Sequence, residues 1–169
     1  MNFDELAGAS LLQATQDLLP ELGRAPVCRV DEPHRIAAMI GFAGDELRGT
    51  FGIAANDVGL QAVRRHMGAS DRAGASEDAI GELANLLIGQ LKRTWSKHGA
   101  LITISTPMVV RGLAIEVCGV GEGHWTSLCL SDARHQVSLW IDAHPSEQLT
   151  LSEGEAEVGA LEQGEAMLF

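Results

Sequence analysis

The chain has 169 residues, 46% of them apolar, and a net charge of −11. That length holds one domain with a real core, and the acidic balance disfavours nucleic-acid binding, which needs a basic footprint. No run of 18 apolar residues is present, so no spanning helix is expected, and the acidic start MNFDELAGAS argues against a signal peptide.

Residues 2–19 read as a first helix, with Asn2 as its cap and Leu6, Leu11, Leu12, Leu18 and Leu19 as its apolar set. Pro20 ends it, Gly23 and Pro26 mark a loop, and residues 27–31 are a short strand candidate. Residues 35–43 and 46–54 alternate as a hairpin around Gly44-Asp45, with Gly49 and Gly52 marking a bulge or close packing. Asn56 or Asp57 caps a second helix over 58–67, which Gly68 closes; residues 69–75 are a linker.

The clearest helix follows. Ser76 is a candidate N-cap, Glu77 and Asp78 suit the positive end of the dipole, Lys97 and His98 lie in the last turn, and Gly99 stops it. At about 100° per residue, Ile80, Leu83, Ala84, Leu87, Leu91 and Trp95 fall on one side, the core face. Asp78, Glu82, Asn85, Gly89 and Ser96 fall on the opposite, solvent face. A glycine inside a helix costs roughly 0.8–1 kcal/mol against alanine, which close approach by another chain would offset.

Residues 101–105 then alternate as a strand that Pro107 interrupts, and 113–120, 124–131 and 135–143 read as further strands, the last two joined through residues 131–134. Trp125, Leu128, Leu130, Val137, Leu139 and Ile141 are candidates for the core, with the face of each left open. This order of helices and strands is that of an α+β domain. Residues 145–169 carry six glutamates and no lysine or arginine; the expected division is a folded domain over 1–144 and an acidic, solvated tail over 145–169.

Cys28, Cys118 and Cys129 lack C-x-x-C spacing and are expected as reduced core residues of a cytosolic protein. The six histidines form no H-x-x-x-H pair; His124 and His135 could meet across a hairpin, but ordinary edge histidines fit them better, and no metal site is expected.

Asp78, Glu82 and Asn85 form D-x-x-x-E-x-x-N, followed 22 residues after Asn85 by Pro107. Asn85-Leu-Leu-Ile-Gly89, Ile104-Ser-Thr-Pro107 and Arg111-Gly112 flank it. This composite resembles the signature of the CheC/CheX/FliY phosphatases of bacterial chemotaxis. A single copy of the motif resembles the CheX-like branch more than the CheC-like one, where it occurs twice. The resemblance implies a CheC/CheX-like sheet with long helices packed on it, a homodimer joined through the sheets and a cytoplasmic location. It also implies phosphatase activity on the aspartyl-phosphate of a CheY-like response-regulator receiver.

In that expectation Asn85 orients the attacking water and Glu82 contacts a cation on the receiver, the lysine near its phosphorylation site. Asp78 and Gly89 serve partner binding, and Pro107 is structural. The chain needs no cofactor of its own, and a divalent metal, Mg, belongs to the receiver. No nucleic acid or membrane is involved. The alternative is a non-enzymatic module on the same fold, binding a phospho-receiver or acting like the flagellar-switch protein FliM.

Overall fold

A computed structural model of the chain describes residues 2–20, 24–25, 33–70, 72–119, 123–131 and 136–152. Three helices are present among them: α1 (Phe3–Leu18), α2 (Asp57–His66) and α3 (Ala75–Lys97). The strands are β1 (Arg24–Ala25), β2 (His34–Ala43), β3 (Leu47–Ala55), β4 (Thr103–Ile104), β5 (Met108–Ile115), β6 (His124–Ser131) and β7 (Gln136–Pro145). They form one sheet in the order β1-β6-β7-β3-β2-β4, with β5 also on β2, and every pairing is antiparallel. The α+β expectation holds.

Period-2 alternation divides the sheet into two faces. Ile36, Ile40, Phe51, Ile53, Leu139 and Ile141 join residues of all three helices in the main core. The intervening positions Ala37, Ala54 and Trp140 form a small second cluster on the other face, with Met39, Ile115 and Val117 against it. Leu128, Leu130 and Val137 belong to the helix side. Trp125 does not reach the core: it is 37% exposed and stacks on Trp140, with ring centroids 6.4 Å apart.

Local chemistry explains the helix ends. Asn2 makes a capping box with Glu5, and the Asn56 side chain accepts the Gly59 N–H at 2.7 Å. Asn56 also accepts the Gln136 N–H at 3.2 Å, tying the start of α2 to β7. The start of α3 differs from expectation. Its N-cap is Gly74, in the left-handed region at φ +82°, and Ser76 lies inside the first turn. Glycine takes that conformation at no steric cost, so no side-chain cap is needed to turn the chain.

The edge beside β2 is broken where proline predicts. Only Thr103 and Ile104 of the expected 101–105 strand pair with β2, and pairing resumes at Met108 instead of Leu113. Three residues, 105–107, then face two on β2. The Ser105 N–H donates to the Gly41 carbonyl at 2.9 Å and the Gly41 N–H to Ser105 Oγ at 3.0 Å. The side chain thus repairs part of the ladder that Pro107 cannot serve.

Gly49 and Gly52 mark close packing, with no shift in the β2–β3 register. A Cβ at Gly52 would lie 2.0 Å from the Trp140 ring. Arg24–Ala25, read as loop, is a strand on β6. The expected strand over 27–31, the turn through 132–134, and His135 lie outside the described residues. Two cysteine expectations are corrected: Cys118 is exposed, not in the core, and Cys129 is buried but disulfide-bonded, not reduced.

β7 runs through Pro145, past the expected boundary at 144. The chain then turns under the β2–β3 hairpin, where Ser146 N–H meets the Glu46 carbonyl at 2.7 Å. Leu149 and Leu151 pack against the core, and Ser152 is bonded to His98 at the end of α3. Residues 153–169 lie outside the described residues.

Candidate active site

α3 is held from below by a continuous apolar stripe. Ile80, Leu83, Ala84, Leu87, Ile88, Leu91 and Trp95 are all fully buried. The Trp95 indole N–H donates to Ser10 Oγ at 2.9 Å, and Phe3 and Phe42 meet the ring edge-on at 5.3 and 5.4 Å. The helix therefore cannot rotate about its axis without breaking its core contacts. Its outward face is fixed by its inward one.

Asp78, Glu82 and Asn85 all stand exposed on that outward face, as the periodicity predicts. Their surroundings are unequal. Asp78 is ion-paired with Arg72, just upstream of the helix, so its carboxylate is already engaged within the chain. Glu77 pairs with Arg111 of β5 at 2.7 Å. The backbone N–H at the helix start, and then the Arg111 guanidinium, hold the Glu77 carboxyl below its ordinary range. Glu82 and Asn85 have no ion-pair or hydrogen-bond partner for their side chains among the described residues. One helical turn apart, an exposed carboxylate and an exposed amide stand side by side on this face.

The β4–β5 edge flanks this ridge. Gly81 is buried on the side of α3 facing Pro107. A Cβ at Gly81 would lie 3.8 Å from Pro107 Cγ and 3.6 Å from Val109 Cγ2. Pro107 therefore lies beside α3 one turn before Asn85. At the other end, Trp95 meets Phe42, whose strand partner is Ile104. Neither Gly81 nor the Glu77–Arg111 pair is visible in the sequence as a contact, although Arg111-Gly112 lies in a stretch that the motif comparison marks.

Gly89 completes the ridge. Nothing lies within 4 Å of where its Cβ would be. No packing among the described residues requires a glycine there, so its helical cost of roughly 1 kcal/mol is not offset within the described fold. Leu86, beside Asn85, is 44% exposed, while every other leucine and isoleucine of α3 is fully buried.

The site is a ridge and not a pocket. A cavity of about 340 Å³ opens at the far end of α3, lined by residues including Gly44, Leu47, Ala100, Leu101 and Leu149, and neither Glu82 nor Asn85 borders it. No cluster of three metal-ligating side chains is present among the described residues. His124 is paired with Asp4 at 2.8 Å. The ridge presents one carboxylate, Glu82, and one amide, Asn85, that have no partner among the described residues.

The family model described as "Chemotaxis phosphatase CheX" matches residues 36–125, more than half of the chain. No curated protein matches. Among solved structures, the chain is similar to the chemotaxis protein CheX from Vibrio vulnificus, at 21% identity and TM-score 0.68, covering 85% of this chain and 97% of that one. It is similar to a chemotactic CheC-like protein from Shewanella oneidensis MR-1, at 19% identity and TM-score 0.69, covering 85% and 100%. It is also similar to a chain of the CheX-CheY-BeF3-Mg+2 complex from Borrelia burgdorferi, at 14% identity and TM-score 0.65, covering 85% and 98%.

Proposed function

The chain belongs to the CheX family of chemotaxis phosphatases, and from that premise we propose that it dephosphorylates the aspartyl-phosphate of a CheY-like receiver by inserting Asn85 beside the phosphoryl group. The observation that carries this reading is the pair Glu82 and Asn85, exposed and unpartnered on a rigidly seated helix. The Borrelia complex, named for CheX, CheY, BeF3 and Mg, supports the choice of partner.

The reaction is attack of water on phosphorus, with cleavage of the P–O bond to the aspartate. Such transfers depend mainly on positioning and electrostatics. The Asn85 amide oxygen accepts a hydrogen bond from the water and holds it in line. Being neutral, it does not repel the phosphoryl oxygens as a carboxylate would. Glu82 meets a cation of the receiver, its lysine near the phosphorylation site, and so fixes the amide's approach. Asp78, tied to Arg72, supports the helix start and lies at the edge of the contact. Gly89 lets the partner's backbone come close. The divalent metal is Mg on the receiver, and the chain contributes no ligand to it.

The test is the decay of a phosphorylated receiver, with Mg present, alone and with this protein. Faster decay is expected. Unchanged decay across several receivers that still bind would favour the alternative, a sensor or switch module without catalysis.

The reading extends to assembly and place. Met108, Val110 and Leu113 are exposed along β5 at the sheet's edge, which suits a homodimer joined there. Light scattering should give twice the 18.0 kDa chain mass; a mass of one chain at micromolar concentration would remove the dimer. No described helix is long and apolar enough to cross a membrane, and a cytoplasmic location fits the proposed receiver partner.

A further inference from the structure

The outward face of α3 does not end at Gly89. Lys92 and Arg93 lie at i+3 and i+4 from it, and so border the same notch as Asn85 and Leu86. Charge along the face is therefore polar: Glu82, whose carboxylate has no partner among the described residues, at one end, and Lys92 and Arg93 at the other. In a chain of net charge −11, cations without an internal carboxylate stand out. Arg35, Arg72 and Arg111 are each ion-paired. Lys92 and Arg93 have no ion-pair partner among the described residues; neither has Arg48, but it stands alone on β3, whereas these two are adjacent on the face that carries Asn85. Asp17 of α1 borders the groove beside Arg93, but accepts its hydrogen bond from the Gln13 amide at 2.8 Å. The helix dipole accounts for Lys97, in the last turn. Its field fades within one turn, and Lys92 and Arg93 stand further in.

We propose that Lys92 and Arg93 are a second, cationic contact for the receiver, selecting partners that carry acidic side chains about 10–12 Å from the phosphorylated aspartate, at 1.5 Å of helix rise per residue. This rests on the phosphatase reading and adds to it what decides which receiver is bound. Opposite charges on either side of Asn85 fix the direction of docking. A receiver turned end for end sets its cation against Lys92 and Arg93 and its carboxylates against Glu82, and like-charge contacts of that kind are strongly unfavourable. Only the correct direction brings the amide in line with phosphorus, so the pair is a positioning and specificity element, not a catalytic one. The Gly89 notch between the two charged ends gives the receiver backbone room to lie against the helix.

The experiment measures dephosphorylation of an acetyl-phosphate-charged CheY-type receiver against receiver concentration, with Mg, at low and high salt. The proteins are wild type, the double variant Lys92→Glu/Arg93→Glu, and Arg93→Lys. The double variant should raise KM about tenfold or more at low ionic strength with kcat unchanged, and added salt should shrink the difference, as for rim charges that steer association. Arg93→Lys should keep KM near wild type. An unchanged KM and salt dependence in the double variant would overturn the proposal. So would a fall in kcat at constant KM, which places the two residues in the chemistry or the fold. A wild type that accelerates no receiver is a different result: it overturns the phosphatase reading itself, and this proposal with it.

Discussion

Replacing Asn85 with alanine is expected to slow receiver dephosphorylation by at least about 100-fold, the usual consequence of removing one positioned polar group from a transition state. The rate should approach the receiver's own decay. Binding should survive, because Glu82 and the rest of the ridge remain. The fold should survive as well. The Asn85 side chain is exposed and bonded to nothing else among the described residues, and alanine is the better helix former by roughly 0.6 kcal/mol. The thermal midpoint should therefore stay the same or rise by about 1–2 °C. Single-turnover decay of the phospho-receiver, read beside a melting curve, checks both. Retained acceleration would move the chemistry off Asn85. A midpoint several degrees lower would mean that the amide is part of the packing.

Trp95→Ala should do the reverse, removing stability while leaving the reacting groups in place. The indole is fully buried, its N–H donates to Ser10 Oγ, and Phe3 and Phe42 pack on it edge-on. Truncating a buried tryptophan costs about 3–5 kcal/mol. That is a large share of the 5–15 kcal/mol by which a domain is typically stable, roughly 10–15 °C in midpoint for a chain of this size. Ser10 keeps its bonds to the Leu6 and Ala7 carbonyls, at 2.5 and 3.2 Å, so the hydroxyl is not orphaned and the loss is chiefly one of packing. Denaturant unfolding checks it; a loss below about 1 kcal/mol would show that the site collapses around the hole or that Trp95 does not anchor α3.

The two residues also show what the sequence made legible. Both faces of α3 follow from one period, because a helix repeats every 3.6 residues and the apolar stripe from Ile80 to Trp95 is unbroken. Position on the wheel alone puts Asn85 in solvent and Trp95 in the core. The start of the helix departs from the pattern for a local reason. Ser76 has the chemistry of a cap, but Gly74 makes the turn by its backbone, and Arg72 takes Asp78. Strand alternation is weaker evidence, since it separates two faces without naming them. Trp125 therefore stayed open until its stacking on Trp140 put it on the face away from the helices. Gly81 against Pro107, and Glu77 against Arg111, were not legible at all. Each needs β5 and α3 to be brought together, and nothing in either segment alone encodes that meeting.

The independence of Glu82 and Asn85 from their own fold bears on descent. Side chains that hold nothing in place can be exchanged one base change at a time without a stability threshold to cross. A duplicated gene could lose either residue and still encode a folded, partner-binding protein. Insertions behave differently: one extra residue between Glu82 and the buried stripe below it turns every later position by about 100° and would send Asn85 toward the core. Lineages of such proteins should then vary freely in whether the pair is present, and hardly at all in the length of the helix segment that carries it.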